Sequence, residues 1–130
     1  MKINRLDHLV LTVKDIEATC RFYTEVMGMS VMTFGGNRKA LRFGQQKINL
    51  HQKGHEINPK AACPTMGSAD LCFIADTPVE QVVLELNEKN VEILEGGIVE
   101  RTGATGGIRS VYFRDPDGNL IEVSNYPESR

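Results

Sequence analysis

Four side chains with metal-ligand chemistry, His8, Asn49, Asp70 and Glu122, occupy matching places in a sequence that repeats itself. One offset carries LDHLVLTV (residues 6–13) onto ADLCFIA (residues 69–75) and sets His8 on Asp70. The same offset sets Asp15 on Thr77 and Gly28 on Asn90, while a longer one carries KINLHQ (residues 47–52) onto LIEVSN (residues 120–125) and Asn49 onto Glu122. An imidazole, a carboxamide and two carboxylates make an oxygen-rich donor set, suited to hard or borderline divalent cations. Each has an ordinary reading too. A histidine near the start of a strand is more often a surface residue, and Glu122, flanked by Leu120, Ile121 and Val123, fits the solvent side of an alternating strand. Only the coincidence of four repeat-equivalent positions favours a metal. On alternating strands His51 shares a face with Asn49, Cys72 with Asp70, and Ser124 with Glu122. If those strands curl into one sheet, the polar residues converge in its concavity, where an unpaired charge is costly and a cation or hydrogen-bond partner is needed.

Holding these residues requires a particular succession of elements. Residues 7–13 alternate and are rich in Val, Leu and Thr, which predicts a half-buried strand with His8, Val10 and Thr12 on one face. Asp15 is placed to cap a helix in which Ile16, Cys20, Tyr23 and Met27 recur at helical spacing, and Gly28 supplies a left-handed position to end it. Strands are predicted at residues 30–34, 40–43 and 47–52, separated by the turn signals GGN and GQQ. Residues 53–67, with Pro59 and Pro64, form a linker between a first module at about residues 5–52 and a second at about 68–126.

The second module opens with a strand at residues 70–75. Thr77 is the expected cap of its helix, with Pro78 in the first turn, Glu80 completing a capping box, and Val79, Val82, Val83 and Leu86 as the buried stripe. Strand candidates lie at residues 91–94, 98–101, 108–114 and 120–126, giving a second βαβββ pattern whose extra length is expected in the glycine-rich residues 96–107. Strands joined by short turns after a single helix demand antiparallel pairing. With no nucleotide-binding glycine fingerprint in the chain, the predicted class is α+β, not a doubly wound parallel sheet.

Composition narrows the partners. Modules of about 60 residues bury too little surface to be comfortable alone, so 130 residues suggest two fused modules in one domain. A net charge of −2, from 15 basic and 17 acidic residues, offers no footprint for nucleic acid or an anionic membrane. The absence of Trp and an aromatic content of 6% argue against a base-stacking surface. MKINRLDHLV has no apolar run of signal-peptide length and no segment approaches a membrane span, which sets a cytoplasmic expectation. Cys20, Cys63 and Cys72 form no CxxC pair, as expected of reduced thiols.

The segments DHLVLTVKDIEATCRFYTEVMGM (residues 7–29) and VYFRDPDGNLIEV (residues 111–123) resemble the vicinal-oxygen-chelate superfamily over nearly the whole chain. That superfamily includes glyoxalase I, fosfomycin and bleomycin resistance proteins, extradiol dioxygenases and methylmalonyl-CoA epimerase. By itself DPDG would mean only a tight turn. The resemblance implies one domain of two βαβββ modules forming an open cupped mixed sheet, with helices on the outside and a divalent metal held by the strands.

Carried over by position, the implied metal ligands are His8, Asn49, Asp70 and Glu122. Relatives more often have Glu or His at Asn49 and His at Asp70, and His51 could substitute for Asn49. Zn²⁺ or Ni²⁺ is favoured, with Mn²⁺ or Mg²⁺ compatible. The implied activity is that of a lactoylglutathione lyase, with glutathione as co-substrate, a small-molecule substrate, Glu122 moving the proton, and a homodimeric assembly. Positions by which relatives grip glutathione correspond to Thr12, Lys53 and Met66, of which only Lys53 could meet a carboxylate. The alternatives are an epimerase, an Fe²⁺ oxygenase that recruits His51 beside His8 and Glu122, or a non-catalytic binding protein. Outside this set, GGIVERTGATGG reads as a hairpin connection or a lid bringing Arg101 and Arg109 to an anion. His55 is expected solvated, Cys20 in the helix stripe, Cys72 as a small buried hydrophobe, and Tyr112 and Tyr126 in core packing.

Overall fold

The computed structural model describes residues 1–127, of which residues 1–68 and 69–127 form two compact units. In the first, β1 (His8–Val13) leads into α1 (Ile16–Glu25), followed by β2 (Ser30–Phe34), β3 (Arg38–Phe43) and β4 (Gln46–Gln52). The sheet order is β1-β4-β3-β2, with β1 parallel to β4 and the other pairs antiparallel. The second unit repeats this with β5 (Asp70–Ile74), α2 (Val79–Glu88), β6 (Val99–Gly103), β7 (Gly106–Arg114) and β8 (Leu120–Asn125), in the order β5-β8-β7-β6. The α+β class and two βαβββ modules are therefore present, each module built on its own mixed sheet.

Alternation sorts the strands into a helix-covered face and an open face. On the covered face of the first sheet, Leu11, Val13, Leu41, Ile48 and Leu50 are buried, and Tyr23 and Thr19 of α1 are buried with them. In the second unit Val111, Phe113, Ile121 and Val123 are buried together with Val79 and Leu86 of α2. Burying each such side chain stabilises the fold by roughly 1.5–3 kcal/mol before entropy is counted. The polar residues of interest all lie on the opposite faces.

Helix ends follow the repeat in part. Asp15 caps α1 by accepting from the backbone N–H groups of Glu17 and Ala18. Gly28 and its counterpart Asn90 both adopt left-handed backbone, with φ of 70° and 57°. Thr77 does not cap α2: Pro78 stands at the cap position without a side-chain bond, and Glu80 pairs with Arg109 at 2.6 Å instead of closing a capping box. Asn125 of β8 does the work, accepting the Val79 N–H at 2.8 Å while its amide donates to the carbonyls of Ala75 and Thr77. Its repeat mate Gln52 likewise accepts the Ile16 N–H at 3.2 Å and donates to the carbonyl of Lys14. The end of each parallel strand thus pins the start of its unit's helix.

The predicted strand at residues 91–94 is not formed. Leu94 donates one backbone bond to Tyr112, and then Glu95, Gly96 and Gly97 turn left-handed in succession, which ends any ladder. Residues 99–114 form the β6–β7 hairpin, with the extra length of this module shared among the α2–β6 connection, a longer β7 and the turn after it. Among the described residues no helix is long and apolar enough to cross a membrane.

Candidate functional site

On the open face of the first sheet, register places His8 beside Lys47, Val10 beside Asn49 and Thr12 beside His51. His8 is exposed, and its Nδ1 lies 2.8 Å from an oxygen of Asp7. Asn49 is 6% exposed, and its Oδ1 is buried with no hydrogen-bond partner. An orphaned carbonyl-type oxygen of that kind costs about 1–3 kcal/mol unless something binds it. His51, at 4% exposure, is buried. Burial, then the nearby Arg38 charge, pushes its imidazole below the usual histidine range.

The sign of that shift fixes a prediction. The unfolded chain protonates His51 near pH 6.5, whereas the folded one resists, so stability is full above that value and falls as pH drops toward the lower folded pKa. His51→Gln should flatten this part of the pH–stability profile in urea unfolding between about pH 5 and 7.5. An unchanged slope would contradict a buried neutral imidazole.

The second open face carries Asp70, Cys72 and Ile74 of β5 beside Leu120, Glu122 and Ser124 of β8, and then Arg114, Tyr112 and Ser110 of β7. Asp70 is exposed. Glu122 is half-buried and does not stand in solvent as an ordinary alternating residue would. Its Oε2 accepts from the hydroxyl of Ser110 at 2.6 Å, and Ser110 and Ser124 lie 2.7 Å apart, both wholly buried. A hydroxyl has one proton to give. With that of Ser110 directed at Glu122, Ser124 donates to Ser110, and the Cys72 thiol, 3.4 Å away, donates to Ser124. Although Cys72 as a residue is exposed, partial desolvation of its sulfur against the sheet is the main reason its pKa is raised, which keeps the thiol protonated for that role. Tyr112 is also pushed up, chiefly by burial, with Glu122 beside it contributing.

Each unit therefore offers one pair on one diagonal: His8 with Asn49, and Asp70 with Glu122, the second of each pair sitting two residues beyond the strand partner of the first. Among the described residues no three His, Cys, Asp or Glu side chains gather around one point. Taken unit by unit, the His8 imidazole with the orphaned Asn49 amide oxygen, and the Asp70 and Glu122 carboxylates, are donor types that suit a divalent cation.

Other expectations divide. Arg109 faces α2, where it pairs with Glu80, so it meets no substrate on the open face. Arg101 does lie on that face, 5.4 Å from the Tyr112 ring centre and 3.5 Å from Glu95. Cys72 is exposed, not a small buried hydrophobe, because β5 is an edge strand. Tyr126 spends its hydroxyl on the backbone N–H of Thr105 at the hairpin tip. Of the glutathione positions, Thr12 is buried, Met66 is exposed, and Lys53 lies 3.4 Å from the Pro64 carbonyl. His55 is exposed. The Ser110 hydroxyl was not legible as a holder of Glu122, because only the β7–β8 register sets Ser110 beside Ser124.

Comparison with known proteins places this geometry in context. The profile of the Glyoxalase/Bleomycin resistance protein/Dioxygenase superfamily matches residues 5–123. Virulence protein STM3117 of Salmonella typhimurium is 64% identical over 97% of this chain and 87% of its own length. Its crystal structure superposes with a TM-score of 0.95, covering 98% of this chain and 100% of that one at 63% identity. The glyoxalase domain-containing protein RDO1 of Mycosarcoma maydis is 51% identical over 100% of this chain and 73% of its own length.

Proposed function

Because the chain belongs to the Glyoxalase/Bleomycin resistance protein/Dioxygenase superfamily, we propose that it is a metal-dependent glyoxalase-type lyase in which Glu122 carries the proton. The substrate in this proposal is the hemithioacetal of methylglyoxal and glutathione, and the product is S-lactoylglutathione. One observation carries the assignment: on the sheet face away from α2, the Glu122 carboxylate is half-buried and oriented by the wholly buried Ser110–Ser124 pair. Neither alternation nor core packing calls for such support. The glyoxalase-domain description of the relative at 51% identity points the same way.

His8 with the orphaned Oδ1 of Asn49 in the first unit, and Asp70 with Glu122 in the second, are the donor pairs that would hold a divalent cation. Bound there, a divalent cation would supply Lewis-acid chemistry, drawing charge from two neighbouring substrate oxygens and acidifying the adjacent C–H. Glu122 takes the proton from one carbon and returns it to the next while the hydroxyl proton passes from the first oxygen to the second, so the product is an isomer of the substrate. Ser110 keeps the carboxylate from rotating between the two transfers. Homodimerisation belongs to the proposal as well, supported by the exposed apolar Val10 and Ile74 on the edge strands.

Protein freed of metal and then supplied with Zn²⁺, Ni²⁺ or Mn²⁺ should form S-lactoylglutathione, and a chelator should abolish it. No product with any of the three in folded protein would sink the proposal. An Fe²⁺-dependent oxygenase is the alternative favoured by the buried, neutral His51 next to Asn49 on β4. Iron in the purified protein that is lost on His51→Ala would replace the lyase with it.

A further inference from the structure

The charged side chains on the face of the first sheet away from α1 are all of basic type. His8 and Lys47, His51, Arg38 and Arg42 occupy it, and no strand position on that face is an Asp or Glu, although the chain as a whole carries a net charge of −2. Two of these cations share one aromatic ring. The Arg38 guanidinium carbon lies 4.8 Å from the centre of Phe34, and the Lys47 ammonium lies 4.0 Å from it. A ring face steadies a cation without neutralising it.

Neither cation has a carboxylate within ion-pair distance among the described residues. The Arg38 Nε is, in addition, buried with no hydrogen-bond partner. Asp7 is the carboxylate whose charge Lys47 feels, but it is bonded to His8 and makes no ion pair with Lys47. Two cations on one ring therefore lack a direct ion-pair partner, and a buried N–H left unpaired adds to the cost. An oxyanion relieves both at once, because a carboxylate or phosphoryl group can take Nε and Nη of one guanidinium side by side while the ammonium supplies a second positive charge.

We propose that Arg38 and Lys47, braced on Phe34, form a recognition site for the oxyanion group, carboxylate or phosphoryl, of a small substrate. The site lies on the same face as His8 and Asn49, with Lys47 directly beside His8 across β1 and β4. It thereby gives an acidic group of the substrate a place to dock beside His8, and rests on the function proposed above for its role in turnover. Binding itself can be tested without metal, thiol or turnover.

Inorganic phosphate and, separately, acetate are titrated into the full chain at constant ionic strength held by chloride, while the Arg38 Nε–H and His51 ring signals are followed by NMR. A saturating shift is expected at both residues. Saturation by phosphate alone assigns a phosphoryl group, and saturation by acetate alone assigns a carboxylate. Arg38→Met combined with Lys47→Met should weaken the response at His51 at least about tenfold. Arg38→Lys, which keeps the charge and the fold but lacks the planar fork, should also weaken it. Lys39→Met should leave it unchanged, since Lys39 lies on the helix-covered face bonded to Thr33. Linear, non-saturating shifts, or equal affinity in the double variant and Arg38→Lys, would overturn the site. Such a result would leave the lyase assay standing, because that assay measures a different event.

Discussion

Glu122→Gln should give a folded protein whose S-lactoylglutathione formation falls by about 10²–10⁴-fold, the contribution expected of a positioned proton carrier. The substitution is nearly isosteric. A glutamine carbonyl can still accept from Ser110, so the hydroxyl pair of Ser110 and Ser124 keeps its geometry and unfolding should change little. What disappears is the group that takes up a proton. The loss should fall on kcat more than on KM, since the carboxylate acts on the reacting carbons and not on the body of the substrate. Ser110→Ala makes an informative companion: it removes the 2.6 Å bond but leaves the charge, so its loss should be smaller than that of Glu122→Gln. Metal content measured on both proteins separates the two duties assigned to Glu122. A variant that keeps its metal and loses turnover has lost the proton carrier, whereas one that loses both has lost a ligand. Unaltered kcat in Glu122→Gln would remove the residue from the mechanism.

The repeat alone singles out the ligand-type residues. Period-two alternation on β1, β4, β5 and β8 is strong enough to put His8, Asn49, Asp70 and Glu122 on the faces away from the helices. Helix stops were equally legible at Gly28 and Asn90, where local backbone chemistry decides. What stayed hidden depends on pairing between distant segments. Thr77 reads as a cap only while α2 is considered alone, because the acceptor that satisfies Val79 comes from Asn125, 46 residues along the chain. The apolar residues 91–94 look like a strand, but three left-handed residues directly after them prevent it. Ser110 and Arg38 carry no local signal for the same reason. Their positions relative to Glu122 and His51 follow from the registers of β7 on β8 and β3 on β4, which no local pattern encodes.

Asn119→Ala should cost roughly 2–4 kcal/mol of unfolding free energy, a large effect for one side chain in a turn. DPDG alone suggests a simple reversal between β7 and β8, in which Asn119 would be replaceable. The structure makes it a tie between three segments. Asn119 is 1% exposed, its Oδ1 accepts the Ala69 N–H at 2.9 Å, and its Nδ2 donates to the Asp115 carboxylate at 2.8 Å. Asp115, 6% exposed, uses its other oxygen to hold the backbone N–H groups of Asp117 and Asn119. Alanine removes one neutral and one charge-assisted bond and withdraws a donor from a buried carboxylate, which sets the scale of the loss. The position matters for chemistry because Ala69 precedes Asp70, and β5 is an edge strand held at this end by Asn119 and by the Leu120 N–H bonded to the Ala69 carbonyl. Faster amide exchange is therefore expected at residues 69–72 in the variant, while the Ser110–Glu122 bond is spared. Asn119→Asp tests the cause: it keeps an acceptor for Ala69 but sets a second carboxylate against Asp115, and should be no better than alanine. If Asn119→Ala proves neutral in urea unfolding and in exchange, the turn is only a connection, and Asp70 owes its position to β8 alone.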